Sequence, residues 1–244
     1  MSRDHGRPVM SRLLLWAHRG ASAVAPENTL SAFAAACAAG ADGLELDIQL
    51  SRDGAAVVLH DETVDRTTNG RGPVANFSLR ELQRLDAGFW FSPRFVGERL
   101  PSLVEVLDAF AGRIVLNLEI KQVRAGLVVL GLLRRYPHAE VLISSFNWPL
   151  LVQLRRLDVS LPLAVLLETR DWHRAVAVAG QVDAVSLHPR ADLVSRPLLA
   201  ACRRLDLPVI PWTIDRPRQL TRLWCRGVAG VFTNDPGALR RVCP

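Results

Sequence analysis

Four short segments place acid, base or cation chemistry at the end of an apolar run: His18-Arg19-Gly20, Glu45-Leu46-Asp47, His60-Asp61 and Asn117-Leu118-Glu119-Ile120-Lys121. Strand side chains alternate faces, so Glu45 and Asp47 point the same way with Leu44, Leu46 and Ile48 interleaved. Two neighbouring carboxylates repel unless a cation joins them. Glu119 adds a third oxygen donor, and such a set suits one hard divalent cation, Mg2+ or Ca2+. An ordinary ion pair would account for any one of these acids; three together at strand ends point to the metal. His18 and His60, at the ends of two other segments, can flank it as a general acid/base pair, with the sequence leaving open which plays which part. Arg19 brings a planar guanidinium fork suited to phosphate oxygens, and Lys121 lies two residues past Glu119 on the same face. Together they describe a pocket for an anionic, metal-bound group such as a phosphodiester.

Lys121 carries a second signal. Among 30 Lys and Arg residues it is the one lysine. A compact ammonium fits where a broad guanidinium does not, so a lone Lys beside a Glu supports a tight site, although chance alone can produce one such residue. Trp212, in Pro211-Trp212-Thr213, reads either as an apolar wall for a substrate's carbon skeleton or as barrel packing. His188 reads as a pocket residue or a structural one. Glu168, Asp215 and Asp235 are strand-end acids left outside the metal set, because nothing pairs them as 45 and 47 are paired. His5, His138 and His173 read as tail, loop and helix-surface residues.

The elements that must position these groups follow from periodicity. Short apolar runs at 12–17, 43–48, 113–120, 140–144, 163–167, 184–187, 208–213 and 230–233 alternate with amphipathic stretches, the signature of repeated βα units. Eight such units predict an α/β fold, a TIM (β/α)8 barrel, which gathers strand ends into one mouth. Helix ends are readable. Asn28 or Thr29 can cap a helix with Leu30, Phe33, Ala34 and Cys37 on its apolar face and Gly40 as its stop. Ser78-Leu79-Arg80-Glu81 and Ser102-Leu103-Val104-Glu105 read as capping boxes. Further helices are expected within 124–135, 148–157, 171–180, 196–205 and 216–226. The run Ala55 to Leu59 breaks the alternation; with Asp53-Gly54 before it, it reads as a hairpin return strand that brings His60 opposite Asp47. The chain from 61 to about 99 then forms a lobe over the mouth. Phe89-Trp90-Phe91 in that lobe is either an exposed rim or, as preferred here, its core.

With 244 residues, 49% hydrophobic and 22% charged, the chain has the size and composition of one globular domain, 1–244, with an inserted lobe at about 49–100. The apolar stretch after the polar start is too short for a signal sequence, and no run reaches membrane-spanning length, so a cytoplasmic protein without stable membrane insertion is expected. Cys37, Cys202, Cys225 and Cys243 lack metal or disulfide spacing and read as free, mostly buried thiols. A net charge of +6 raises the question of nucleic acid. The Arg residues are dispersed among acids, with no basic tail or stacking motif, so no nucleic-acid partner is expected.

The motifs Ala17-His18-Arg19-Gly20, Ala25-Pro26-Glu27-Asn28-Thr29-Leu30, Glu45-Leu46-Asp47, Asp53-Gly54, Leu59-His60-Asp61, Asp65-Arg66-Thr67-Thr68-Asn69-Gly70 and Leu118-Glu119-Ile120-Lys121, in this order and spacing, resemble the glycerophosphodiester phosphodiesterase family, most of all its cytosolic bacterial members. The resemblance implies a TIM barrel with a small inserted lobe after the second strand. It implies hydrolysis of a small-molecule glycerophosphodiester to sn-glycerol 3-phosphate and an alcohol. It also implies His18 and His60 as the acid/base pair, Glu45, Asp47 and Glu119 as metal ligands, and Arg19 and Lys121 as phosphate contacts. The chain departs from the family pattern late, with Ala229 where an Asp is usual and Thr233-Asn234-Asp235 where Thr-Asp is usual, which bears on pocket detail rather than on the reaction. The competing readings are a barrel phosphodiesterase for lysophospholipids or inositol phospholipids, and a non-catalytic basic binding protein.

Overall fold

The computed structural model describes residues 12–243. His5 and the polar start therefore lie outside the described residues. The strands are β1 (Leu14–Ala17), β2 (Gly43–Leu50), β3 (Ala56–Val58), β4 (Val115–Ile120), β5 (Val141–Ser145), β6 (Leu163–Leu167), β7 (Ser186–Pro189) and β8 (Gly230–Thr233). The helices are α1 (Leu30–Ala38), α2 (Leu79–Leu82), α3 (Leu103–Phe110), α4 (Val123–Leu133), α5 (Trp148–Leu157), α6 (Trp172–Gln181), α7 (Arg196–Arg204), α8 (Pro217–Trp224) and α9 (Pro236–Arg240). All strands pair in parallel in the order β7-β6-β5-β4-β2-β1-β8, except β3, which runs back antiparallel along β2.

The expected strand at 208–213 is present as a stave carried by single bridges rather than a regular ladder. Pro208 and Pro211 have no N–H to donate, so the ladder is interrupted at each. Their carbonyls still accept, from Leu187 N at 2.8 Å and Phe232 N at 2.9 Å, and Ile210 N and Trp212 N donate to Leu187 and Pro189. This segment thereby joins β7 to β8 and closes an eight-staved barrel.

Between sheet and helices lies one continuous apolar layer, and the barrel interior is plugged below the mouth by Trp16, Leu142, Ala164, Ile210 and Phe232. The lobe has its own core of Val57, Leu59, Val64, Val74, Leu82, Ala87 and Leu100. Phe89-Trp90-Phe91 is not part of it, which corrects the preference for lobe core: Trp90, Phe91 and Phe95 stack edge to face outside that core and are half-buried, with Phe89 47% exposed. Both capping boxes form, at Ser78/Glu81 and Ser102/Glu105. Thr29 caps α1, whose buried face is Ala32, Phe33 and Ala36; Ala34 and Cys37 face solvent. Of the four thiols only Cys202 is buried, and all four are unpaired.

The hairpin return is shifted by one residue from expectation. Ser51 pairs with Ala55 around the three-residue loop 52–54, where Gly54 takes φ +77°. That loop length puts Leu59, not His60, opposite Asp47, its N–H donating to the Asp47 carbonyl at 3.0 Å. Leu59 thus enters the lobe core, and His60 begins the turn leading away from the strand.

Candidate active site

The parallel register sets the acids in rows. Glu45 lies beside Asn117, and Asp47 beside Glu119, which in turn neighbours Ser144. Ligand oxygens of Glu45, Asp47 and Glu119 all lie within 4.8 Å of one another. Asp47 is 1% exposed and Glu45 4%. Burial, then the charges of Asp47 and Glu119, pushes Glu45 well above the usual carboxylate range. Burial and Asp47 push Glu119 up to about 7. Asp47 is held low despite its burial, because Lys121 and Arg19 stand beside it.

Three carboxylates against two fixed cations leave one negative charge in excess, all donors are oxygens, and like-charge repulsion within the set is already visible as raised protonation. This is the chemistry of a hard divalent cation site, and the residues fit one.

The loop after β1 brings Arg19 to this cluster. Arg19 (φ +57°) and Gly20 (φ +82°) both adopt left-handed backbone, and a Cβ on Gly20 would stand 2.7 Å from Ala32. The turn aims the Arg19 N–H at Glu45 Oε2 (2.8 Å), while its guanidinium reaches Glu27 Oε1 (2.9 Å) and Asp47 Oδ2 (3.5 Å). Lys121 Nζ lies 3.0 Å from Asp47 Oδ1 and 3.5 Å from Glu119 Oε1, and donates to the His60 carbonyl at 2.8 Å. One compact ammonium therefore ties the two acids to the segment that carries His60. Asn28, at φ +57°, donates its side-chain amide to Asp47 Oδ2 at 2.8 Å.

Each histidine has a partner that selects its tautomer. Asp215 accepts from Asn234 Nδ2 (2.8 Å), which turns Asn234 Oδ1 toward His18 Nδ1 at 2.8 Å; Ser22 Oγ donates to the same oxygen. Oδ1 can only accept, so the His18 proton sits on Nδ1 and Nε2 keeps its lone pair. Burial and the adjacent Arg19 charge hold His18 below its ordinary value, and it stays neutral near pH 7. His60 Nδ1 meets Asp61 Oδ1 at 2.5 Å. Asp61 is gripped by Arg66, whose Nε bonds Oδ2 at 2.7 Å; Arg66 also reaches both oxygens of Glu27, at 2.8 Å each. A charge network thus runs from His60 through Asp61, Arg66 and Glu27 to Arg19, stapling lobe to barrel. Arg66 first, through its hydrogen bonds, holds Asp61 far below the usual carboxylate range.

A cavity of about 270 Å³ connects these groups; His18, Arg19, Glu45, His60 and Glu119 line one side, and Phe146, Leu166, Trp212 and Phe232 the other. Trp212 is there as an apolar wall, its indole N–H anchored on the His188 carbonyl at 2.9 Å. His188 does not line it. The ring is fully buried, bonded to Ser186 Oγ at 2.8 Å, and burial lowers it to about 3, so it is a structural residue. Asp235 caps α9. His138 and His173 are exposed, as expected. Phe146 and Ser144 are not among the sequence candidates, and Asn234 figures there only as a departure from the family pattern. For Phe146 and Ser144 the available signal is position alone: each lies at the C-terminal end of β5 or one residue beyond it.

The family model for the glycerophosphoryl diester phosphodiesterase family matches residues 18–238. The chain belongs to this family. A glycerophosphodiester phosphodiesterase of Caldanaerobacter subterraneus is 39% identical over 93% of this chain and 96% of its own length. One of Bacillus subtilis is 34% identical over 95% of this chain and 86% of its own. Among solved structures, an Oleispira antarctica phosphodiesterase in complex with its product sn-glycerol-3-phosphate superposes with a TM-score of 0.86 at 28% identity, covering 95% of this chain and 96% of that one. This family member is therefore a TIM-barrel phosphodiesterase that hydrolyses glycerophosphodiesters. No helix among the described residues is long and apolar enough to cross a membrane.

Proposed function

We propose that this enzyme cleaves glycerophosphodiesters with His18 as general base and His60 as general acid, on a site organised by Glu45, Asp47 and Glu119. The observation that carries this reading is the pair of opposed histidine environments at one cavity. His18 is neutral with a free Nε2 lone pair; His60 turns its Nδ1 to the Asp61 carboxylate, which Arg66 holds in place. His18 Nε2 takes the proton of the attacking hydroxyl as its oxygen bonds to phosphorus. The phosphorus–oxygen bond to the alcohol breaks, and His60 delivers its Nε2 proton to the departing oxygen. Arg19 and Lys121 face the phosphate as fixed cations and do not reorganise during the step. Trp212 packs against the substrate's carbon skeleton.

The three carboxylates would hold one Mg2+ or Ca2+, which when bound supplies Lewis-acid stabilisation of phosphate charge. A divalent ion also changes the cluster's excess negative charge to a single positive one, matching a singly charged diester. The working unit is the whole chain, 1–244, with the lobe at about 49–100 contributing His60, Asp61 and Arg66. A cytoplasmic location belongs to the same reading and is supported by four unpaired cysteines.

The test is incubation with glycerophosphocholine and glycerophosphoethanolamine in Mg2+, Ca2+ or chelator, measuring glycerol 3-phosphate. Metal-dependent release is expected; no release under any metal overturns the reading. Exposure of Phe89 and Val96 on the lobe favours, as a second reading, a lipid-bound diester. Cosedimentation with phosphatidylglycerol vesicles and turnover of lysophosphatidylcholine would establish it.

A further inference from the structure

Two cavities meet at the catalytic groups. The first, of about 270 Å³, is the one described above, and Asn117 and Ser144 line it on the barrel side. Asn117 Oδ1 and Ser144 Oγ are buried without a hydrogen-bond partner. Both residues sit in the row of the metal-binding acids, Asn117 beside Glu45 and Ser144 beside Glu119. Unmet polar groups in that position suit the hydroxyl-bearing glycerol half of a diester. The second cavity, of about 440 Å³, is lined by Lys121, Ser145 and Asn147. His60, Glu119, Phe146 and Glu168 line both. A phosphate at this boundary would send its two substituents into different cavities, the glycerol into the first and the alcohol to be released into the second.

The second cavity has an unbalanced charge. Lys121 is committed to Asp47, Glu119 and the His60 carbonyl. Glu168 has no ion-pair or hydrogen-bond partner among the described residues. Arg190, which feels the Glu168 charge, spends its guanidinium on Asp192 at 2.6 and 3.0 Å. The ring of Phe146 lines the same two cavities as Glu168 and is fixed edge to face against Trp212 with ring centres 5.7 Å apart. A free carboxylate sharing a cavity with a rigid aromatic ring is complementary to an ammonium group, including a quaternary one that has no N–H to donate.

The geometry points to a head-group subsite formed by Glu168 and Phe146 that selects diesters whose leaving alcohol is a cation, of the choline or ethanolamine class. It rests on the reaction proposed above and names the substrate class of that same site. Glu168 touches the head group and not the reacting atoms, so it sets specificity.

The test compares kcat/KM for glycerophosphocholine, with a cationic head, and glycerophosphoglycerol, with a neutral one, in wild type, Glu168→Gln and Phe146→Leu. The wild type is expected to prefer the cationic diester. Glu168→Gln is expected to lower the ratio of the two kcat/KM values roughly 3- to 10-fold, chiefly through KM for glycerophosphocholine, and Phe146→Leu to lower it in the same direction. Glu168 is exposed, so the Gln variant is carried by an unchanged fold. Hydrolysis of both diesters with a ratio that Glu168→Gln does not move leaves the reaction standing and overturns the subsite. Hydrolysis of neither diester by the wild type overturns the reaction itself and the subsite with it.

Discussion

Replacing Asp61 by Asn tests whether the His60 tautomer matters. The Asp61 carboxylate now serves His60 and Arg66 at once: Oδ1 accepts from His60 Nδ1 at 2.5 Å and from Arg66 Nη2 at 3.1 Å, and Oδ2 accepts from Arg66 Nε at 2.7 Å. A carboxamide has one acceptor. Arg66 is a permanent cation that can only donate, so it claims that oxygen, and the amide NH2 is turned toward His60. His60 Nδ1 must then accept, which moves the ring proton to Nε2 and removes the carboxylate's charge-assisted hydrogen bond to the ring. The loss is that of a hydrogen bond to a charged group, about 1.5–3 kcal/mol, or roughly 10- to 150-fold in kcat. KM for glycerophosphocholine should change little, because Asp61 does not line the cavities. The fold should survive, since Asp61 and His60 side chains are 29% and 34% exposed. Steady-state kinetics at saturating metal measure the loss, and 15N spectra of the His60 ring report the tautomer. A kcat within about twofold of wild type, or a retained Nδ1–H, refutes the reasoning.

His18→Ala and His60→Ala are each expected to lower kcat by about 10²–10⁴ with unchanged circular dichroism, and near-normal turnover in either would sink the acid/base assignment. Lys121→Arg should also be damaging, by about tenfold or more in kcat/KM, because a planar fork cannot replace the hydrogen bond and two ion-pair contacts made by one ammonium; equal kinetics would show that the lone lysine is a compositional accident. Glu119 is raised from 4.5 to about 7, so the metal-free folded protein holds a proton there that the unfolded chain has released, and its stability falls as pH rises across that window. The Tm gain from added Mg2+ or Ca2+ should accordingly be larger at pH 8 than at pH 5.5; equal gains at the two pH values would count against the acids as the ion's ligands. Ser102→Ala removes the capping box at the start of α3 and should cost about 1 kcal/mol, seen as a Tm lower by roughly 2–4 °C with kcat intact.

What could be read in the chain before its structure was known divides along a physical line. Period-two and period-3.6 patterns report which face of an element is buried, and they sufficed to place eight staves, both capping boxes and the row of Glu45, Asp47 and Glu119. Proline chemistry explains why the 208–213 stave is irregular without moving it. Register across a turn is different, because it depends on how many residues the loop spends; a three-residue loop instead of the expected tight turn shifted His60 one place along β2. Surface and core aromatics carry the same sequence signal, so Phe89-Trp90-Phe91 could not be placed by composition. The support of each proposed catalytic group was least visible. Asp215, Asn234 and His18 are joined across 216 residues, and Glu27 meets Arg66 across 39. No periodicity encodes such a contact; it exists only once the barrel has closed and the lobe has docked. The late departure from the family pattern gains its meaning the same way. Asn234 has one end that can only accept and one that can only donate, and with Asp215 fixing which end faces inward, it sets His18 as the Nδ1–H tautomer without adding a negative charge at the ring. An Asp at this position would place a negative charge at the ring and favour the protonated imidazole, so under the proposed assignment the departure suits His18 to take a proton.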